Sequence, residues 1–515
     1  MRATIYLAGT LLLLLAPVRE AVATPRLAVL VVVDQLRAVD VDRLAPLFGP
    51  GGLGGIPRRG AHLTLRYSYA ATETGPGHAT LATGTNPPLH GVLLNHWYEA
   101  SGTRRYVVDD DKPVIGLEDA PRGRGPALLR APTLGDAMKA ESGGLARVVT
   151  IAGKDRSAIL TGGFAADIAL WYEPRLGRFS SSGHYPGGVP SWVAENGGVG
   201  ARFPMESASW TPLGSPSGPA QRLLPADDLA GEQARLGGRS FPHDLGRLVD
   251  VEKQRADFVG TPDAMAAVFQ LGLAAIDAEG LGEDVIPDLL VLGVSATDHV
   301  GHWYGPGSLE SVDMLRRLDL ALRELVASLD QRLGSGGYVL AVTGDHGAPA
   351  PPERTAMARV PAERIDVAPL LAELEAVAVR ALPGRSSRER RIRGLLPPHL
   401  YVRTDDLTAA ERDLVLLRLT DHLRAHPQVH GAWRTDDAAA ITGPVGEALR
   451  QSLYPGRNGE ILVLQGPRSV FDFGDHAGTD HGTPWAHDTP VPLLLLGPGV
   501  RHGRIAQERD PRAVT

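Results

Sequence analysis

Leu27-Ala28-Val29-Leu30-Val31-Val32-Val33 is an unbroken apolar run that stops at Asp34. A short run of Val and Leu with no polar break reads as a strand buried on both faces, as in a parallel sheet covered by helices. Two later runs repeat the device. Asp288–Val294 leads through Ser295-Ala296-Thr297 to Asp298, with His302 four residues on. The run at 338–342 leads through Thr343-Gly344 to Asp345 and His346. In such sheets ligands bind at the carboxyl ends of the strands. Acidic and imidazole groups distant in sequence are therefore expected to meet on one edge. That is how a metal site is built, and it makes hydrolysis the leading idea.

Outward from these runs, apolar strand patterns alternate with helical ones. The predicted fold class is α/β, a doubly wound and mostly parallel central sheet flanked by helices. Further core strands are expected at 147–152 and 491–496, and helices at 134–140, 264–278 and Leu309–Leu333. Two segments read as insertions into one catalytic domain covering 24–515. The first, 183–247, is rich in Gly, Pro and Ser and is expected to be a loop-rich excursion near the site. The second, 353–461, carries its own helices at 367–380 and 407–425 and a strand at 400–403. Its basic run at 385–393 reads as a solvated loop rather than a binding patch.

Composition removes several functions. A net charge of -7 and a pI near 6.2 argue against a nucleic-acid binder, which would show a basic face. The 61 glycines and 41 prolines lie between apolar runs rather than in one tract, so they mark tight loops. There is no cysteine, which excludes disulfides, thiolate ligands and a cysteine nucleophile. Any zinc must be held by His and carboxylate, a donor set typical of catalytic sites. Residues 1–23 read as a secretory signal, with Arg2, an apolar core at 11–15 and the small-residue site Ala21-Val22-Ala23. That apolar run is shorter than the ~20 residues needed to span a bilayer. The expectation is a periplasmic or secreted protein with no stable membrane span.

The most specific local stretch is Thr72-Glu73-Thr74-Gly75-Pro76-Gly77-His78-Ala79-Thr80-Leu81-Ala82-Thr83-Gly84. A hydroxyl stands directly before a Gly-rich turn that opens a helix. Backbone N–H groups and the dipole favour an anion there, so Thr74 is a candidate nucleophile beside a bound phosphate or sulfate. A threonine in that place also serves as a plain N-cap. The metal constellation favours the first reading. Asp298 and His302 point the same way from a turn or a helix start. Asp345 and His346 suit a loop, and His481 lies in Gly478-Thr479-Asp480-His481-Gly482-Thr483-Pro484, just before a predicted strand. With Asp34 and the Thr74 oxygen they furnish two sites of three or four ligands. Two cations ~3.5–4 Å apart can clamp the attacking and leaving oxygens of a phosphoryl transfer. They would also activate the Thr74 hydroxyl. His78, His90, His299, His476 and His487 read as hydrogen-bonded turn or supporting residues rather than ligands.

Taken together, Asp34, Thr74-Gly75-Pro76-Gly77-His78, His90-Gly91-Val92, Thr297-Asp298-His299-Val300-Gly301-His302, Gly344-Asp345-His346-Gly347 and Asp480-His481-Gly482-Thr483-Pro484 resemble the alkaline phosphatase superfamily. They are similar to its threonine-nucleophile branch, which includes nucleotide pyrophosphatase/phosphodiesterases and the phosphate-irrepressible alkaline phosphatases. The motifs span nearly all of the mature chain in the family's order. The resemblance implies two zinc ions per chain. Asp298, His302 and His481 would hold one; Asp34, Asp345, His346 and the Thr74 oxygen would surround the other. Thr74 would attack phosphorus to form a phosphothreonine, which water then hydrolyses.

Lys154 and Arg156, in Ile151-Ala152-Gly153-Lys154-Asp155-Arg156, follow a predicted strand and face the same way. The resemblance implies that they and Asn95 grip non-bridging phosphate oxygens. Physical logic points there too, since a monoester carries one more negative charge than a diester and suits two cations. The expected activity is alkaline phosphatase action on small-molecule phosphate monoesters of broad range, by a monomer. Phosphodiesterase or nucleotide pyrophosphatase action on the same bimetallic site is the rival, and a metal-binding pseudoenzyme stands behind both. A sulfatase would need a modified Cys or Ser, and the chain has no Cys.

Overall fold

A computed structural model describes residues 24–196, 209–248, 250–385 and 389–515. The leader expected at 1–23 lies outside the described residues, as do 197–208 of the first insertion and 386–388 of the basic run. The central sheet has nine strands. In chain order these are β1 (Leu27–Val33), β2 (Ala61–Arg66), β3 (Val148–Ala152), β4 (Ile168–Glu173), β5 (Arg178–Ser180), β6 (Asp288–Val294), β7 (Tyr338–Gly344), β8 (Pro490–Leu496) and β9 (Gly503–Arg504). Their order across the sheet is β9-β2-β8-β7-β1-β6-β3-β4-β5. β7, β1, β6, β3 and β4 are parallel neighbours, while β8 runs antiparallel to β7 and β2, and β5 to β4.

β1 shows why the apolar run has no polar break. Val29, Val31 and Val33 enter one core with helices Pro262–Ala278 and Leu309–Leu333. Leu30 and Val32 enter a second core on the opposite face of the sheet. Each side chain of this kind removed from water stabilises the fold by ~1.5–3 kcal/mol, so both faces demand apolar residues.

Register then delivers the acidic groups. Val33 stands opposite both Val294 and Gly344. Asp34, Ser295 and Asp345 therefore leave the sheet side by side, and Asp298 follows within one turn of helix. Ala152 stands opposite Gly293, which brings Lys154 to the same edge. His481 arrives differently. It precedes β8, and a loop before a parallel strand would lie at the opposite edge. Because Thr343 pairs antiparallel with Leu493, β8 begins beside the end of β7. The reversed strand brings the His481 loop to the carboxyl edge.

The segment expected as the second insertion forms a four-stranded sheet, ordered Ile392–Leu396, His399–Val402, Ile461–Gln465, Val429–Arg434. Helices Val367–Ala381 and Ala409–Ala425 share its separate apolar core. Ile461–Gln465 pairs with the strands of this segment and not with the central sheet. In the basic run, Arg385 pairs with Glu411 at 2.7 Å and Arg391 with Asp406 at 2.9 Å. Of the first excursion, Gln233 reaches the helix carrying His302 through Trp303 O at 2.8 Å. Trp210 packs elsewhere, donating to Asp313 at 2.8 Å on the long helix Leu309–Leu333. Among the described residues no single helix is long and apolar enough to cross a membrane.

Candidate active site

Thr74 opens helix α1 (Thr74–Thr83), and Glu73 occupies the N-cap position. The threonine is thus the first helical residue and not the cap. Its hydroxyl lies 3.4 Å from both Lys154 Nζ and Arg156 Nη2, on a residue only 1% exposed. A glycine three residues on makes this approach possible. A Cβ at Gly77 would lie 2.6 Å from the Asp345 carbonyl oxygen, so only glycine lets α1 sit on the Asp345 loop. Asn95 Oδ1 accepts from Gly75 N at 2.8 Å, which fixes the side chain and leaves its two amide N–H donors for a ligand.

Helix α2 (Ala296–Tyr304) carries Asp298 and His302 one turn apart, with His302 Nε2 3.4 Å from Asp298 Oδ1. His481 Nε2 lies 3.6 Å from the same oxygen. Asp298, His302 and His481 form one group able to hold a metal ion, with all ligand atoms within 4.8 Å of one another. Asp34, His78 and Asp345 form a second such group. His78 Nε2 is 3.4 Å from Asp34 Oδ1 and its Nδ1 is 3.3 Å from Asp345 Oδ2. His346, expected as a ligand here, lies between the groups, its Nε2 3.4 Å from Asp345 Oδ2 and 4.0 Å from Asp298 Oδ1. The structure thus sets two imidazoles beside the Asp34–Asp345 pair, one of which, His78, reads from the sequence as a supporting residue. Thr74 and His78 are four apart, so the helical spacing holds the signal.

The donors suit a cation. Asp34 Oδ1, His78 Nε2, Asp345 Oδ2 and His346 Nε2 are all buried without a hydrogen-bond partner. An unpaired buried polar atom costs ~1–3 kcal/mol. Four of them converging on one place is the signature of a group that would satisfy them together. The imidazole orientations agree. Nδ1 lies by a backbone carbonyl in each: Thr479 for His302 at 2.9 Å, Thr72 for His481 at 2.7 Å, Gly347 for His346 at 3.0 Å and Thr74 for His78 at 3.0 Å. In the neutral ring a proton on Nδ1 leaves Nε2 as the lone-pair donor, the arrangement that backbone partners impose on metal-binding histidines.

Lys154 ties the groups together, with its ammonium 2.9 Å from Asp34 Oδ2 and hydrogen-bonded to Asp298 Oδ2. Burial alone pushes the Asp298 carboxyl up, but Lys154 and then His302 outweigh it and hold it well below the carboxylate range. In Asp34 burial prevails over Lys154, and its pKa is raised. Burial presses His346 down to about 4 and His481 to about 3, so both rings are neutral. In His302 the neighbouring Asp298 overcomes burial and raises the pKa to about 9. Burial lifts Glu73 to about 7; its carboxylate accepts from Asn95 N at 2.6 Å.

The Asp155 carboxylate accepts from Arg124 at 2.9 Å, from the Tyr106 hydroxyl and from the Arg156 backbone N–H. Against burial, Tyr106 and the Asp155 charge favour the Arg156 cation, whose guanidinium keeps Nη2 at the Thr74 hydroxyl. Thr74, Asn95, Arg156, Asp298, His302 and His481 all line a cavity of about 380 Å³, and Leu396 and Pro397 of the inserted sheet close one wall. Three further histidines have partners of their own. His90 contacts Thr80 Oγ1, His476 pairs with Asp472, and His487 lies against Thr483 and Asp488.

Gln35 is a supporting residue that sequence reasoning does not find. It stands in the left-handed region at φ 64, a conformation that strains a residue with a Cβ. From there its backbone N–H donates to Asp345 at 3.0 Å and its amide to Asp298 at 2.9 Å, so it braces both groups. A glutamine beside an aspartate carries no sequence signal for this.

Residues 28–487 match the family model of type I phosphodiesterase / nucleotide pyrophosphatase. The chain belongs to this family. Alkaline phosphatase PhoK of a Sphingomonas species is 32% identical over 505 residues, covering 94% of this chain and 85% of the relative. Alkaline phosphatase PafA of Elizabethkingia meningoseptica is 26% identical, covering 95% of this chain and 90% of its own. The crystal structure of wild-type alkaline phosphatase PafA superposes with a TM-score of 0.87 at 25% identity, over 96% of this chain and 95% of that one.

Proposed function

We propose that this chain hydrolyses phosphate monoesters with Thr74 as nucleophile. The observation that carries the reading is the pair of cations at the threonine hydroxyl, Lys154 and Arg156, each 3.4 Å from Oγ1. A phosphoryl group in line with Thr74 would meet both, and its spread negative charge is what such groups stabilise in a loose transition state. Asn95 would donate its amide to a non-bridging oxygen, and the N-terminus of α1 adds its dipole. A diester would present an alkyl group where one cation expects an anionic oxygen.

Asp298, His302 and His481 would hold one zinc ion. Asp34 and Asp345, with His346 and the Thr74 oxygen, would hold a second, His78 supporting the carboxylates. Bound there, zinc would lower the pKa of the threonine hydroxyl and neutralise charge on the reacting oxygens. Arg156 would orient the phosphoryl group. The Thr74 oxygen would lose its proton to solvent and bond to phosphorus as the bond to the ester oxygen breaks. The departing alcoholate would take up a proton to leave as the alcohol, and water would then cleave the phosphothreonine to inorganic phosphate and free Thr74. Small-molecule phosphate esters are the substrates. The reading includes one catalytic domain with insertions, acting as a monomer, exported through a leader at 1–23 to the periplasm or beyond. Diester hydrolysis on the same residues is the rival, since the family model carries that activity in its name.

Turnover of p-nitrophenyl phosphate against its bis ester separates the two. The monoester should be preferred in kcat/KM, and Lys154→Ala and Arg156→Ala should each lower monoester turnover by roughly 10²-fold while sparing the diester. Equal losses on both esters would overturn the specificity argument.

A further inference from the structure

Phe473 stands where an aromatic ring is out of place on solvent grounds. It is 56% exposed, and among the described residues it is the one exposed large apolar side chain that lines the Thr74 cavity. It also lines an adjoining cavity of about 300 Å³, and His302 and Asp480 are its companions on the shared wall. Scattered exposed apolar residues need no explanation, but one on the rim between a reaction site and a neighbouring hollow does. The ring is held rather than loose. It follows strand Val470–Asp472, and Asp472 Oδ1 accepts from Gly474 N at 2.8 Å and His476 N at 3.2 Å, tightening the turn around it.

We propose that this second cavity is the leaving-group subsite and that Phe473 offers it a stacking face. The substrates it favours are then monoesters of planar, uncharged alcohols, aryl or nucleoside in class. The inference rests on the monoesterase reading and gives its broad range a preference. In-line displacement by Thr74 directs the leaving oxygen away from that hydroxyl, and the hollow past His302 and Asp480 has the room for what is attached. Trp303 adds a second aromatic wall, itself covered by the Arg235 guanidinium 5.6 Å from its ring. The charges argue against a second phosphate. Asp472, Asp475 and Asp480 line this space against Arg235 and Arg364, and Arg364 is already paired with Glu353 at 2.8 Å. A flat neutral ring fits such walls; a pyrophosphate does not.

The test measures kcat/KM for phenyl phosphate, adenosine monophosphate and methyl phosphate in wild type, Phe473→Ala, Phe473→Leu and Phe473→Trp. Stacking on a partly exposed ring supports a roughly five- to tenfold effect, so the aryl-to-methyl and nucleoside-to-methyl ratios should fall by that factor in Phe473→Ala. Phe473→Trp should keep both ratios and Phe473→Leu should restore them only in part. Ratios unmoved by Phe473→Ala, with the wild type active on all three esters, would overturn this inference alone. A wild type inert toward every monoester would overturn the parent reading and this one with it.

Discussion

Asp298, His302 and His481 face the cavity, and the His302 side chain is 29% exposed; Asp34 and Asp345 are wholly buried beneath α1, together with His78 of that helix. One group has two imidazoles and a single carboxylate already neutralised by Lys154. The other has two carboxylates close together and orphaned oxygens on both. Left empty, the buried group stores repulsion, because its charges have neither water nor enough partners. The open group does not. The contrast teaches that the two ions would do different work. The buried one would be bound up with the fold and the nucleophile, the open one with whatever enters and leaves.

The sharpest break in that comparison is at Thr74, which belongs to the buried side. Thr74→Ala should lower monoester turnover by at least roughly 10³-fold while leaving the metal content of the open group unchanged. Thr74→Ser should recover part of the rate. Steady-state kinetics with metal analysis on the same preparation checks it. Turnover surviving in the alanine variant would remove the nucleophile from the mechanism.

A second, smaller effect concerns stability without metal. The raised pKa of Asp34 means that its ionised form is disfavoured in the folded state. Sign follows from linkage. Folded Asp34 keeps its proton to higher pH than the unfolded chain does, so its contribution becomes more destabilising as pH rises through that window. Asp34→Asn removes that charge and should raise the thermal midpoint of the chelator-stripped protein near pH 8 by a few degrees. The same substitution should reduce the stabilisation gained on adding zinc. A lower midpoint in the stripped variant would mean that the Lys154 contact outweighs the repulsion.

Much of this contrast is legible in the order of residues alone. The apolar runs mark strands β1, β6 and β7 and hence the placement of Asp34, Asp298 and Asp345, because parallel register aligns strand ends whatever lies between them in sequence. β2 and β4 are not legible in this way. β2 alternates Leu63 and Leu65 with His62, Thr64 and Arg66, a pattern too short to stand out, and its pairing is set by β8. His481 is found by its motif, but its arrival at the correct edge depends on an antiparallel strand that no local pattern announces. His78 and Gln35 differ in this respect. The four-residue spacing from Thr74 marks His78 in the chain, whereas the role of Gln35 comes only from the two carboxylates that pack against it in three dimensions.

The smallest expected effect separates the imidazoles within the open group. With no metal bound, His302 keeps a proton up to about pH 9, whereas His481, at about 3, is already neutral. A metal must expel the His302 proton in order to bind, so apparent affinity should climb by up to about tenfold per pH unit and level off above about pH 9. His481→Ala should weaken binding yet keep this slope, because the titrating ligand is still present. His302→Ala should weaken binding and flatten the slope. Chelator competition at about pH 6.5 and about pH 8.5 reads both quantities. If both variants lose the slope, the proton belongs to the group as a whole; if neither does, it is carried elsewhere, and Glu73, lifted to about 7 on the cavity wall, is the next residue to change.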